Sequence, residues 1–191
     1  MRFSRVLSVF GCLLVMSSAV HATLVYQATM TGANEVPATV STATGYTSVV
    51  IEDNLMKVHV DWTGLVAPAS AAHIHCCTPL GSNIGVAVGF GGFPATQSGV
   101  FEGIFDLLNT GIYTASFLAN FGGGTAAGAR DALIAGLDGG RAYSNIHNSV
   151  FPDGEIRGNL VRVVAEPAMT WLLVAGCGIA FVMRRRLLEK H

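Results

Sequence analysis

In 191 residues the chain carries 51% hydrophobic and only 12% charged residues, with a formal net charge of −1. That length holds one domain plus targeting segments, and the near-neutral balance supplies none of the basic patch or stripe that a nucleic-acid partner requires. The apolar excess is concentrated towards the two ends, so the remainder has an ordinary globular composition.

Arg2 and Arg5 precede an apolar run from Val6 to Val15, and Val20-His21-Ala22 places small or modest residues where a signal peptidase reads. Residues 1–22 are therefore expected to form a secretory signal peptide, too short for a membrane span. Its removal takes Cys12 and His21 out of the mature protein.

Residues 23–164 are read as one β-domain. In Leu55 to Trp62 the apolar residues Met56, Val58, Val60 and Trp62 alternate with Lys57, His59 and Asp61, the pattern of a half-buried strand. Further strands are expected at Leu24 to Met30, Tyr46 to Ile51, Ala71 to His75, Ile84 to Val88, Val100 to Phe105, Ala142 to His147 and Glu155 to Val163, punctuated by glycines. Such spacing predicts an all-β fold, an antiparallel immunoglobulin-like sandwich or barrel. The exception is Thr125 to Leu137, where a Thr N-cap and a stop at Gly136 or Gly139 predict one short helix across an end of the sheets.

After Ala165-Glu166-Pro167 comes an apolar stretch, 168–183, closed by Arg184-Arg185-Arg186 in the tail 184–191. The stretch predicts a short transmembrane helix, and the basic tail predicts that the domain lies outside the cytoplasm. Residues 165–191 resemble the PEP-CTERM sorting signal, although Ala165 replaces its first Pro. The resemblance implies processing by an exosortase-type enzyme. The expected location is inner-membrane-anchored with the domain in the periplasm, or the cell surface after processing.

Four ordered pieces, Ala33-Asn34-Glu35-Val36-Pro37, Ala71-Ala72-His73-Ile74-His75, Tyr143-Ser144-Asn145-Ile146-His147-Asn148 and Phe151-Pro152-Asp153-Gly154-Glu155-Ile156-Arg157-Gly158, resemble the CHRD domain. The resemblance implies an immunoglobulin-like or barrel-like β-fold and brings no established reaction. Members commonly continue the His-x-His motif with Gly and a Pro-rich loop, where this chain has Cys76-Cys77.

Residues two apart on a strand project to one side, so His73 and His75 share a face. His147, in phase opposite Ile146, is a candidate third nitrogen ligand from a distant strand. Three imidazoles suit zinc or copper, with Glu35, Glu155, Cys76 and Cys77 as accessory donors. The same spacing also allows His73 and His75 simply to hydrogen-bond loop carbonyls. Glu155 and Arg157 share a face and are expected to pair. Cys76 and Cys77 are the only thiols expected in the exported domain. They are open to a vicinal disulfide, to pairing between chains or to remaining thiols beside the histidines.

Two functions follow from these expectations. The first is a non-enzymatic envelope or matrix module that binds a protein or polysaccharide, consistent with the lack of a recognisable nucleophile triad. The second is a copper- or zinc-binding protein using His73, His75 and His147, extending to superoxide-dismutase-like chemistry, whose β-barrel also uses a His-x-His strand.

Overall fold

The structure, a computed structural model, describes residues 23–163. The expected signal peptide and the anchor at 165–191 lie outside the described residues. In chain order the elements are β1 (Leu24–Thr31), β2 (Thr44–Glu52), β3 (Leu55–Thr63), β4 (Ala69–Cys76), β5 (Val86–Gly89), β6 (Gly99–Asp106), α1 (Ala115–Asn120), α2 (Ala126–Asp138), β7 (Ala142–Asn148), β8 (Ile156–Asn159) and β9 (Val161–Val163). Short 3-10 turns at Gly32–Asn34 and Thr110–Ile112 complete the set. Among the described residues no helix is long and apolar enough to cross a membrane.

The strands form one sheet in the order β5-β4-β7-β8-β1-β2-β3-β6, with β9 alongside β1, and every pairing is antiparallel. The fold is thus a curled half-barrel rather than two facing sheets. Curling is seen where Thr47 on β2 donates to Ser144 on β7 at 3.1 Å, although β1 and β8 lie between those strands. The ends of the strand order are drawn together by aromatic rings: Phe90, just after β5, packs 5.5 Å from Phe101 of β6 and 6.0 Å from Phe105.

Alternation explains the interior. Met56, Val58, Val60 and Trp62 of β3 face inward with Tyr26, Ala28 and Met30 of β1 and Ala72, Ile74 and Cys76 of β4. Burying each large aliphatic side chain of this set stabilises the fold by about 1.5–3 kcal/mol. The segment expected as one strand from Glu155 to Val163 is divided, because Leu160 drops into the core and its N–H donates to Ala142 O. The strand expected from Ile84 starts at Val86, since Ile84 belongs to a loop laid over β4.

Each end of the half-barrel is closed. At one, α2 starts on a Thr125 cap whose hydroxyl accepts from Gly128 N, as its sequence predicts. The preceding short helix α1, with its own Thr114 cap, was not expected from the sequence. Tyr26 and Arg162 both bond Asp138 of α2, at 2.8 and 2.9 Å, and Arg130 reaches Asn54 in the β2–β3 turn. Gly136 lies directly on Cys76 Sγ and Cys77 Sγ, where a Cβ would collide with both sulfurs. Gly136→Ala is therefore expected to lower the unfolding free energy by about 1–3 kcal/mol through overpacking, measured by urea denaturation. Unchanged stability would show that α2 can ride higher on the sulfurs.

On the outward face of β3, His59 sits between Glu102 at 2.6 Å and Asp61 at 3.3 Å. The hydrogen bond to Glu102, helped by Asp61 and opposed by burial, raises its pKa above 6.5. A raised histidine pKa contributes stability that is fully present below the unfolded value and is lost as pH rises through the folded one. The expected NMR titration midpoint of His59 is above 6.5 and falls in Glu102→Gln. The stability difference between the two proteins should shrink as pH is raised through that midpoint.

Candidate metal centre

The site lies on the outer face of β4, β7 and β8. Because Ala72, Ile74 and Cys76 face inward, His73 and His75 face outward; on β7 the inward Ser144 and Ile146 leave Tyr143, Asn145 and His147 outward. Antiparallel register then aligns Gly89, His73, Asn145 and Arg157 in one row across four strands, with His75 opposite Tyr143 in the next. His147 stands diagonally from His73, their ring centroids 5.0 Å apart. One donor atom from each of His73, His75 and His147 lies within 4.8 Å of the others.

This outer face is covered rather than solvated. Arg157 is 1% exposed and Asn145 2%. The Arg157 guanidinium donates to Asn83 Oδ1 at 2.8 Å and Ser82 O at 3.0 Å, and Asn83 donates to Val36 O at 2.6 Å. Two loops are thereby fastened over the strands. Arg157 also lies 3.4 Å over the Tyr143 ring, which stacks in parallel on His75 at 4.6 Å. The stack fixes the plane of the His75 imidazole.

Proton accounting gives the cluster its chemistry. His75 has Ile84 O at 2.6 Å from Nδ1 and Asn145 Oδ1 at 3.1 Å from Nε2. His147 has Pro152 O at 2.9 Å from Nδ1 and the same Asn145 Oδ1 at 3.0 Å from Nε2. Each ring is held between two oxygen acceptors, yet a neutral imidazole has one N–H to give. A second proton is opposed by burial, which lowers the pKa of both rings. Burial, reinforced by His147 and His75, also lowers His73 to about 4. With Nδ1–H on the backbone carbonyls, two Nε2 lone pairs converge on an oxygen, an arrangement that a cation relieves. Backbone carbonyls on Nδ1 are also what orients imidazoles that ligate through Nε2.

Among the described residues, the buried polar side-chain atoms without a hydrogen-bond partner are His73 Nδ1, Glu35 Oε1 and Arg157 Nε. All belong to this cluster. Burial pushes Glu35 up to about 7, while Arg157, the Asn145 amide and the Val36 N–H favour its ionised form. Glu35 is brought beside the site without joining the three imidazoles as a donor.

The other expected residues go elsewhere. Cys76 and Cys77 are bonded to each other, and Cys76 faces the core on the opposite side of the sheet from His75. Glu155 and Arg157 are not brought together. Glu155 is buried at the end of the half-barrel away from α2, accepting from Ser41 Oγ at 2.5 Å, Val66 N at 3.0 Å and Asn148 Nδ2. His75 does bond a loop carbonyl, as its spacing also allowed. Asn145 and Tyr143 were missed, although Asn145 has the strand phase of His147, two residues away.

Removing the Glu155 carboxylate would strand the Val66 N–H, the Ser41 hydroxyl and the Asn148 amide. Glu155→Ala is expected to cost at least about 3 kcal/mol, since buried partners left unpaired each cost roughly 1–3 kcal/mol. Thermal or urea unfolding measures this, and a loss below about 1 kcal/mol would show that other groups close that end.

A match to the CHRD domain spans residues 26–160, which includes every residue of the cluster. No curated protein and no solved structure matches the chain.

Proposed function

The chain belongs to the CHRD domain family, and we propose that it is an exported metal-binding module that holds zinc or copper with His73, His75 and His147. The observation that carries this reading is the pair of imidazoles, His75 buried and His147 half-buried, each flanked by acceptors at both ring nitrogens. Neutral rings, Nδ1 anchored on carbonyls and an unpartnered His73 Nδ1 fit a borderline cation, for which imidazole is a preferred donor. The donor spacing supports it too. One donor atom from each of the three imidazoles lies within 4.8 Å of the others, and small ring rotations bring them to the roughly 3.3 Å that ligand bonds of about 2.0–2.1 Å around a tetrahedral ion require.

Superoxide-dismutase-like redox chemistry has less support than binding. The remaining described histidine, His59 on β3, is engaged by Glu102 of β6 and Asp61 and offers no fourth imidazole. The envelope-module reading draws support from a groove of about 630 Å³ that borders His73 and is lined by Gly89, Phe93, Ile112 and Thr114. That volume suits a small organic ligand or part of a polysaccharide or protein partner. Export, anchoring and exosortase-type processing rest on residues 1–22 and 165–191 of the sequence.

The test is metal titration of the purified protein without a polyhistidine tag, with content read by mass spectrometry and affinity by chelator competition. One equivalent of zinc or copper is expected. His73→Ala and His147→Ala should each weaken binding beyond the roughly 10–100-fold typical of a residue that only orients a ligand. His59→Ala serves as the control for a histidine outside the site. Sub-stoichiometric metal, or unchanged affinity in both site variants with native circular dichroism, would overturn the reading.

A further inference from the structure

The three imidazoles leave the identity of the next donor open, and the acceptor already facing two of them is an amide oxygen. Asn145 Oδ1 stands 3.1 Å from His75 Nε2 and 3.0 Å from His147 Nε2. Turned over, the same amide would offer N–H groups to both nitrogens and satisfy them without any ion. What stands against that orientation is Glu35. A Cβ added at Gly154 would meet both Glu35 Oε1 and Asn145 Nδ2, so the carboxylate and the amide nitrogen lie side by side. A flip would place Asn145 Oδ1 beside Glu35 Oε1, an acceptor that already lacks a hydrogen-bond partner. Gly154, at φ +127°, lacks the side chain that would displace the pair.

We propose that Asn145 Oδ1 is the fourth ligand of the centre, turned toward the imidazoles by Glu35, giving a three-nitrogen, one-oxygen cradle for a divalent ion, Zn(II) or Cu(II), rather than Cu(I). The proposal rests on the metal-binding reading above. Amide oxygen is a hard donor that divalent ions accept, whereas Cu(I) prefers thiolate and thioether. The sulfurs near β4 cannot substitute: Cys76 faces the other side of the sheet and is bonded to Cys77. Glu35 is a positioning residue here, acting through Asn145.

The experiment compares Zn(II), Cu(II) and Cu(I) affinities of the full chain with those of Asn145→Leu, Asn145→Asp and Glu35→Gln. It includes the Cu(II) electron paramagnetic resonance spectrum, whose hyperfine splitting reads the donor set. Asn145→Leu is expected to weaken both divalent ions by roughly 10-fold or more, to leave Cu(I) affinity unchanged and to shift the Cu(II) spectrum. Asn145→Asp, which keeps an oxygen in place but sets its second one against Glu35, should recover part of the divalent affinity lost in Asn145→Leu, and Glu35→Gln should weaken divalent binding and move the spectrum. Where Asn145→Leu does not fold, Asn145→Ser withdraws the oxygen and is read the same way. Unchanged divalent affinity without the oxygen overturns the fourth ligand alone, as does a parallel loss of Cu(I) and divalent binding that Asp does not rescue. A parent protein that takes up no metal overturns it together with the three-histidine reading.

Discussion

Pairing of β4 with β7 sets the composition of both faces of the sheet at once. With Ile74 opposite Ser144 and Ala72 opposite Ile146, the inward residues meet over the core, while His73 opposite Asn145 and His75 opposite Tyr143 meet outside. A slip by one residue would exchange the two sets, sending imidazoles into an apolar interior and aliphatic side chains under polar loops. The hydrophobic effect that fixes the interior therefore also fixes the histidine geometry. The site needs no folding determinant of its own beyond the loops that cover it.

Those loops explain how so polar a cluster is tolerated out of water. Arg157 spends two N–H groups on Ser82 and Asn83, and Asn83 in turn holds Val36. The same guanidinium stacks on Tyr143 and is close enough to Glu35 to favour its charge. Buried polar groups are costly unless partnered. Most here are partnered, and the exceptions gather around Asn145. The contrast with Glu155 is instructive: that carboxylate is as deeply buried but has three donors directed at it, and it closes one end of the half-barrel. One acidic residue is complete within the fold, whereas Glu35 retains an unused oxygen.

Period-two alternation made the strands legible in the sequence, down to the buried set of β3, and Thr125 marked the start of α2. The shared face of His73 and His75 and the phase of His147 were readable for the same reason. The partnerships of Glu155 and Arg157 were not. Sequence spacing gives the face of a strand but not whether a residue just before that strand, such as Glu155, turns into the end of a barrel. Asn145 escaped notice because an amide has no titration or metal-ligand signature of its own, and its meaning appears only when two imidazoles from different strands point at it. The small helix α1, six residues with aromatic Phe117 as its buried anchor, is too short to show a helical period.

The three imidazoles are not equivalent, and the asymmetry bears on how an ion would enter. His75 is stacked on Tyr143 and both His75 and His147 are tied through Nδ1 to loop carbonyls, so these rings are set before any ion arrives. His73 has no such tie at Nδ1 and is the member of the set that lines the groove beside Gly89 and Phe93. An ion approaching from that groove would meet His73 first, with two donors already oriented beyond it. Little conformational entropy then remains to be lost at the fixed rings, which is where preorganisation gains affinity. The donor with the least restraint stands at the entrance, and the rigid donors stand behind it.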